Sequence, residues 1–267
     1  MIQRAFISEW GEFTPWSNRL FIEQDLIICR ALIEIFNDPF LSEHLAFRGG
    51  TAIHKLFLQP QPRYSEDIDL VQKNPEPIKK TLDHLRDALS FLGDPIVKQK
   101  KHNNTMVYKI PVTESINVGE LKLKIEINCK EHFSVYPFIT KRLSIKNGWY
   151  SGEGDIITYE LEELLGTKLR ALYQRRKGRD LFDLYQAITS LNLDPEKIIT
   201  SYKKYFSFVS SHLPTYKEFV RNMDEKLTQE EFLHDTDAIL RPGINYSPQQ
   251  AYNLIHDRLL IPLFPST

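Results

Sequence analysis

Sulfur and long apolar runs are both scarce in this sequence. Only two cysteines, Cys29 and Cys129, occur among its 267 residues. Both lie inside apolar patterns, which fits buried thiols better than a disulfide framework or a sulfur-ligated zinc site. No segment approaches the roughly twenty consecutive apolar residues of a membrane span, and the N-terminus has no signal-peptide core. These absences predict a cytoplasmic globular protein that makes no membrane contact.

A large net charge, internal repeats and low-complexity tracts are absent as well. The 34 Lys and Arg residues nearly balance the 35 Asp and Glu residues. The chain as a whole therefore does not attract nucleic acid or a membrane surface, and any basic binding surface must be local. The length suffices for one large domain or two modest ones, each with its own core.

Apolar periodicity divides the chain into two parts. Residues 1–157 combine helix-period segments at 18–37 and 76–92 with short runs that alternate as strands do. From residue 158 onwards the apolar residues follow a helical period almost throughout. We therefore predict an α+β (α/β) domain over 1–157, followed by a helical bundle over 158–267. The predicted strands lie at 45–50, 65–72, 105–113 and 120–129.

The stretch SEDIDLV places two aspartates on one face of a predicted strand. Side chains alternate along a strand, so Asp67 and Asp69 lie on one side while Ile68 and Leu70 lie on the other. Two carboxylates this close repel each other unless a cation lies between them, and oxygen ligands of this kind favour Mg²⁺. The alternative is a solvated acidic strand face, because such short matches are common.

A third carboxylate is available on the strand LKLKIEIN. Glu126 shares a face with Lys124, and it would approach Asp67 and Asp69 if this strand lies beside the acidic one. Three carboxylates that hold two metal ions are a standard arrangement for in-line attack at phosphorus. The predicted metal ligands are therefore Asp67, Asp69 and Glu126.

Two glycines precede the acidic strand by one short helix. Gly49 and Gly50 run into a helix that we predict to be capped by Thr51. Exposed backbone N–H groups and the positive end of a helix suit a phosphate group. Most Gly-Gly pairs only make turns, but the placement of this pair one helix before the two aspartates favours a phosphate site.

A basic segment follows near the start of the helical part. Residues 168–179 hold six basic side chains and no acidic one. Lys168, Arg175 and Arg179 are spaced by seven and four residues and can share one helical face, with Asp183 one turn further. A metal-bound triphosphate would give Lys168 and Arg179 something to neutralise. The alternative is a solvated basic helix face.

Four segments, in order, resemble the signatures of the AbiEii/AbiGii toxin family of nucleotidyltransferase-like proteins. They are RGGTAIHKLF, RYSEDIDLV, KIEIN and LLGTKLRALYQRRKGRDLFDLYQ, within residues 40–190. The resemblance implies a nucleotidyltransferase-fold mixed sheet with flanking helices, followed by a helical domain. It also implies phosphate binding by Gly50 and Ser65, metal binding by Asp67 and Asp69, triphosphate binding by Lys168, and a last motif that contains Arg179, Asp180 and Asp183.

Members of this family act as toxins paired with a cognate antitoxin, and some add nucleotides to the acceptor end of tRNA. The resemblance thus implies an Mg²⁺-dependent enzyme that transfers NMP from an NTP to an RNA acceptor such as the tRNA 3′ end. Three alternatives stay open: a small-molecule, antibiotic-type nucleotidyltransferase, a noncatalytic nucleotide- or RNA-binding protein, and an Mg²⁺-dependent nuclease. The basic run at 168–179 and the lysines Lys98, Lys100 and Lys101 favour a polyanionic acceptor.

Overall fold

The computed structural model describes residues 2–112 and 120–265. The chain divides into two units, Met1–Tyr159 and Glu160–Thr267. Within the described ranges, no helix is long and apolar enough to span a membrane. The last residue of the strand predicted at 105–113 lies outside the described residues.

A mixed sheet forms the centre of the first unit. Its strands among the described residues are β1 (Leu45–Arg48), β2 (Ile68–Gln72), β3 (Ile96–Lys100), β4 (Asn103–Pro111), β5 (Glu120–Asn128), β6 (Ile139–Lys146) and β7 (Ser151–Thr158). They lie in the spatial order β3-β4-β5-β2-β1-β7-β6. Strand β2 runs parallel to β5 and β1 runs parallel to β7, whereas the other neighbours are antiparallel. The predicted mixed α+β class is confirmed.

The helices of the first unit include one long helix that the sequence predicts well. They are α1 (Arg4–Gly11), α2 (Arg19–Asn37), α3 (Pro39–His44), α4 (Gly49–Leu56) and α5 (Lys79–Ala88). Asn18 caps α2 by accepting a hydrogen bond from the Leu20 N–H at 2.9 Å, and Pro39 forces the preceding residue out of helical geometry. The apolar stripe of α2 is buried, and the helix contacts β5, β6 and β7.

A buried ion pair joins α2 to α4. Lys55 Nζ lies 2.7 Å from Asp25 Oδ1, and both side chains are almost fully buried. Asp25 also accepts hydrogen bonds from the indole of Trp10 at 3.0 Å and from Gln61 at 3.3 Å. Burial raises the pKa of the neighbouring Cys29 thiol to about 12, so this thiol stays neutral. Because a buried charge is tolerated only when it is paired and hydrogen-bonded, this cluster fixes where α4 lies on α2.

The second unit is a bundle of helices, as predicted. Its described helices are α6 (Leu161–Gln174), α7 (Gly178–Ser190), α8 (Pro195–Val209), α9 (Tyr216–Lys226), α10 (Glu230–Leu233), α11 (Pro248–Ile255) and α12 (Ile261–Leu263), with a π-helical turn at His256–Leu260. Helix α6 packs on α7 and α8. Gly166 permits the close approach to α8, because a Cβ there would lie 2.8 Å from the Ile198 carbonyl oxygen.

Three strands of the sheet were not predicted. Strands β3 and β6 are the two edge strands, and most of their residues are exposed and polar or charged. Their apolar alternation is therefore weak, as is usual for edges that must avoid pairing with other chains. Strand β7 contains Gly152 and Gly154, and glycine is depleted in strands.

Candidate active site

Asp69 lies in the middle of a row of charged side chains across three neighbouring strands. Arg48 on β1 is paired in register with Asp69 on β2, and Asp69 is paired with Glu126 on β5. The strand with Glu126 therefore lies beside the acidic strand, which is the condition that the sequence argument required. Asp69 and Glu126 line a cleft of about 290 Å³ together with Arg48, Leu70, His102, Asn103, Asn128 and Lys130.

The carboxylates of Asp67 and Glu126 share a cation that belongs to the chain itself. Lys124 Nζ lies 2.9 Å from Asp67 Oδ2 and 3.2 Å from Glu126 Oε1. Partial burial lowers the pKa of Lys124, but the two carboxylates outweigh burial and raise this pKa above its ordinary value. Lys124 therefore stays charged and offsets one of the negative charges at this edge of the cleft.

The donor set determines which metal ion these carboxylates suit. Among residues 2–112 and 120–265, no group of three or more His, Cys, Asp and Glu side chains is arranged to hold a metal ion. Mg²⁺, however, is usually bound by only one or two carboxylates and completes its octahedron with waters and substrate phosphates. Asp67, Asp69 and Glu126 supply oxygens of that kind, and Lys124 already places positive charge between two of them. The donor chemistry fits Mg²⁺, and its binding by these residues stays a prediction.

Gly49 brings the start of α4 against Asp69. Its φ is +83°, and a Cβ at this position would lie 2.1 Å from Asp69 Oδ2. Helix α4 begins here, two residues earlier than predicted, and has no side-chain cap. The prediction that Thr51 caps this helix is wrong, because the Thr51 hydroxyl instead lies 2.8 Å from Ser65 Oγ and donates to the Asp67 carbonyl. The first N–H groups of α4 have no intrahelical partner, and the preceding residue, Arg48, does not cap them with its side chain.

Replacing Gly49 with Ala is expected to destabilise the protein more than the same change at Gly93. Both glycines have a positive φ, but a Cβ at Gly93 has no neighbour within 4 Å. Gly93→Ala should therefore cost only the backbone strain, about 2 kcal/mol, whereas Gly49→Ala adds a clash with Asp69 and should cost about 2 kcal/mol more than that. Urea unfolding of both variants measures the difference, and equal losses would contradict the close approach at Gly49.

A buried arginine lies behind the second glycine. Arg63 is only 2% exposed, and a Cβ at Gly50 would lie 2.6 Å from Arg63 Nη2 and 3.3 Å from Ser65 Oγ. Arg63 also donates to the Tyr64 carbonyl at 2.8 Å. Arg63 is the first residue of the RYSEDIDLV signature, but no role was predicted for it. Its charge adds to the positive potential at the start of α4, which suits an anionic ligand.

Arg48 reaches the site from the end of β1. Arg48 Nη1 donates to Glu131 Oε2 at 2.5 Å. Burial opposes charge on Arg48, but Glu131 outweighs burial and its attraction raises the pKa of Arg48 further above its ordinary value. Glu131 was not identified from the sequence, because it follows β5 and meets Arg48 only through the sheet. The pair leaves Arg48 permanently charged at one wall of the cleft.

In the second unit, Lys168 lies between two aspartates of the last motif. Lys168 Nζ is 3.0 Å from Asp180 Oδ1 and 2.8 Å from Asp183 Oδ2, and both carboxylates are fully buried. Arg175 makes two further hydrogen bonds to Asp180, at 2.6 and 2.7 Å. Burial raises the pKa of Asp180, but Lys168 and Arg175 reverse this and hold it below its ordinary value. The sequence motifs contain all of these residues, and the structure shows that Lys168 contacts both aspartates.

The single helical face predicted for Lys168, Arg175 and Arg179 is wrong. Helix α6 ends at Gln174, Arg175 is extended, and α7 begins at Gly178. A Cβ at Gly178 would lie 2.1 Å from the Phe232 carbonyl oxygen, so this close contact requires glycine and coincides with the break. Arg179 makes a bidentate pair with Asp235, at 2.9 and 3.0 Å. Its predicted role in nucleotide binding is not tested by this contact.

Comparison with known proteins identifies the family. A model of the nucleotidyl transferase AbiEii toxin of type IV toxin–antitoxin systems matches residues 30–253, which is most of the chain. The chain belongs to the AbiEii family. None of the curated proteins with which the sequence was compared matches it.

Solved structures agree with an AbiEii fold. JHP933 from Helicobacter pylori shares 17% sequence identity, over 91% of this chain and 94% of that chain, with a TM-score of 0.58. MenT4, the nucleotidyltransferase toxin Rv2826c from Mycobacterium tuberculosis H37Rv, shares 15% identity over 99% of this chain and 100% of that chain, with a TM-score of 0.55. At these identities the likeness establishes the fold, and the chemistry must be argued from the site.

The AbiEii motif residues fall into two groups. Gly50, Ser65, Asp67 and Asp69 lie together near the start of the central strand β2 in the first unit, and Glu126 is added to them by strand pairing. The remaining residues lie in the second unit, where they form internal ion pairs; they are Lys168, Arg179, Asp180 and Asp183. Nucleotide binding by the residues of both groups stays a prediction.

Proposed function

We propose that this AbiEii protein is a nucleotidyltransferase toxin that moves NMP from an NTP to a hydroxyl group of an RNA acceptor. The observation that carries the proposal is the pairing of Asp69 with Glu126 on adjacent strands, directly beside the start of α4 at Gly49. Carboxylates next to the positive N-terminus of a helix suit chemistry at phosphorus.

Each group near the start of β2 has a role in the proposed reaction. Asp67, Asp69 and Glu126 would hold Mg²⁺, which when bound stabilises charge on the phosphate and increases the acidity of an attacking hydroxyl. The N–H groups at Gly49 and Gly50 would bind phosphate oxygens of the NTP. The acceptor oxygen forms a bond to the α-phosphorus, the bond from that phosphorus to the β-phosphate oxygen breaks, and pyrophosphate leaves. Glu126, which is partly exposed, would receive the proton of the acceptor hydroxyl group.

An RNA acceptor is supported by the charges around the cleft. His102, Asn103 and Lys130 line the cleft beside Glu126. Lys100 at the end of β3 and Lys101 on the turn that follows it are exposed. Basic side chains of this kind bind a phosphate backbone without reading its sequence. We place the reaction in the cytoplasm, where NTPs and tRNA are available, with the tRNA 3′ end as the preferred acceptor and a cognate antitoxin as the partner.

The proposal is tested by labelling. Purified protein is incubated with total cellular RNA, Mg²⁺ and each α-labelled NTP in turn, and the products are separated on a denaturing gel. A labelled band of tRNA size that disappears after ribonuclease treatment is expected with at least one NTP. Shortened RNA would indicate a nuclease instead. Absence of label in RNA with all four NTPs would contradict an RNA acceptor and turn attention to small-molecule acceptors.

A further inference from the structure

Lys124 occupies an unusual position among the carboxylates of the cleft. Its ammonium group contacts Asp67, the residue directly before β2, and Glu126 two residues further along β5, at 2.9 and 3.2 Å. Parallel pairing of Ile68 with Ile125 sets this geometry, because it places the residue before β2 beside Lys124. Strand register therefore makes Asp67 and Lys124 neighbours.

Two further basic side chains in this part of the sheet are Arg48 on β1 and Lys122 on β5. Arg48 pairs with Glu131 at 2.5 Å, so its charge is largely neutralised locally. Lys122 lies on the same face of β5 as Lys124 and is exposed, but among the described residues the lysine that pairs with Asp67 and Glu126 is Lys124. Lys124 thus offsets one negative charge of the acidic group formed by Asp67, Asp69 and Glu126.

We propose that Lys124 is a displaceable internal counter-ion that competes with the divalent metal for Asp67 and Glu126. This inference rests on the proposed function, because it takes these carboxylates to be metal ligands. A carboxylate oxygen that contacts an ammonium group must be released before it can coordinate Mg²⁺ fully. The side chain of Lys124 is long and 38% exposed, so it can move aside without burying an unpaired charge.

Displacement has a consequence for the order of binding. Once a metal ion takes the carboxylates, the ammonium group of Lys124 loses its partners and is free to contact a substrate phosphate. Metal and phosphate should therefore bind more tightly together than either does alone, and by thermodynamic linkage the coupling is reciprocal. Positive charge would thus lie beside Asp67 and Glu126 both before and after the metal ion binds.

Direct metal binding tests this competition. Mn²⁺, a spectroscopic substitute for Mg²⁺, is titrated into the wild-type protein, Lys124→Gln and Lys122→Gln, and free Mn²⁺ is measured by electron paramagnetic resonance. Lys124→Gln is expected to bind Mn²⁺ about fivefold more tightly than wild type, since partly exposed ion pairs are worth up to about that factor. Lys122→Gln, the matched control on the same strand face, should change the affinity much less. Unchanged or weaker Mn²⁺ binding by Lys124→Gln would overturn the proposal.

Thermal unfolding and tripolyphosphate provide two readouts that do not involve catalysis. Without metal, Lys124→Gln should melt at a lower temperature than wild type, because Asp67 and Glu126 then repel each other, and Mn²⁺ should raise its melting temperature by more. Tripolyphosphate should strengthen Mn²⁺ binding more in wild type than in Lys124→Gln. Equal strengthening in both proteins would contradict the release of Lys124 to a phosphate.

Failure of this inference can be separated from failure of the proposed function. The variant Asp67→Asn is titrated with Mn²⁺ in parallel. If Asp67→Asn weakens Mn²⁺ binding but Lys124→Gln does not strengthen it, the carboxylates bind metal and only the competition is wrong. If neither variant changes Mn²⁺ binding, the metal site of the proposed function is wrong, and the competition falls with it.

Discussion

Replacing Asp69 with Asn is expected to reduce nucleotidyl transfer by about a thousandfold, with the fold intact. Asp69 lies between Arg48 and Glu126 in the row of charged residues and lies closest to the start of α4. Loss of a metal-binding carboxylate removes several kcal/mol of charge stabilisation in the transition state, and about 4 kcal/mol corresponds to a thousandfold in rate. The rate of incorporation of α-labelled nucleotide into acceptor measures the effect.

The interpretation of Asp69→Asn depends on a structural control. The change removes one of several like charges and keeps the side-chain shape, so the melting temperature should stay close to that of wild type. Asp94→Asn, an exposed residue of the same unit, should keep wild-type activity. Normal transfer by Asp69→Asn would show that the row of charged residues is not the catalytic centre.

Replacing Lys168 with Met is expected to destabilise the second unit by about 3–5 kcal/mol. The ammonium group of Lys168 lies between Asp180 and Asp183, which are both fully buried, and is itself only 8% exposed. Without it, two buried carboxylates face each other with less positive charge to balance them. Urea unfolding followed by far-UV circular dichroism measures the loss of helix in the second unit. Tryptophan fluorescence would not report on this unit, because Trp10, Trp16 and Trp149 all lie in the first unit.

Two companion variants sharpen the test of Lys168. Lys203→Met removes an exposed lysine from α8 and should change stability by less than about 0.5 kcal/mol. The double variant Lys168→Met with Asp183→Asn removes both charges and should recover a large part of the loss, because removing both partners of a buried pair costs less than removing one. Wild-type stability of Lys168→Met would contradict the buried cluster.

The central part of the site was predictable because it depends on strand alternation. Asp67, Asp69 and Glu126 follow the period of two that governs strands, and the family signature supports their proximity. Lys124 was visible on the same face as Glu126, but its contact with Asp67 depends on the register between β2 and β5. Register is determined by the packing of the whole sheet, which a single sequence does not reveal.

The buried pair of Asp25 and Lys55 shows a second limit of prediction from the sequence. Both residues lie in helices with strong apolar patterns, and they are 30 positions apart. Charged residues in such helices are usually expected to face solvent. Only the packing of α4 on α2 brings them together. The break at Arg175 shows a third limit, since spacing by seven and four predicts one helical face only if the helix is continuous. Helix α6 ends at Gln174, shortly before Gly178, where the Phe232 carbonyl oxygen leaves no space for a Cβ.

The most direct test of nucleotidyl transfer compares two positions of label in the same NTP. Wild-type protein and Asp69→Asn are incubated with acceptor RNA, Mg²⁺ and NTP labelled at either the α- or the γ-phosphate. Label in the RNA from the α-position alone, with the γ-label recovered in pyrophosphate and the signal lost in Asp69→Asn, is the result we predict. Label transferred from the γ-position, or α-label that persists in Asp69→Asn, would contradict the account.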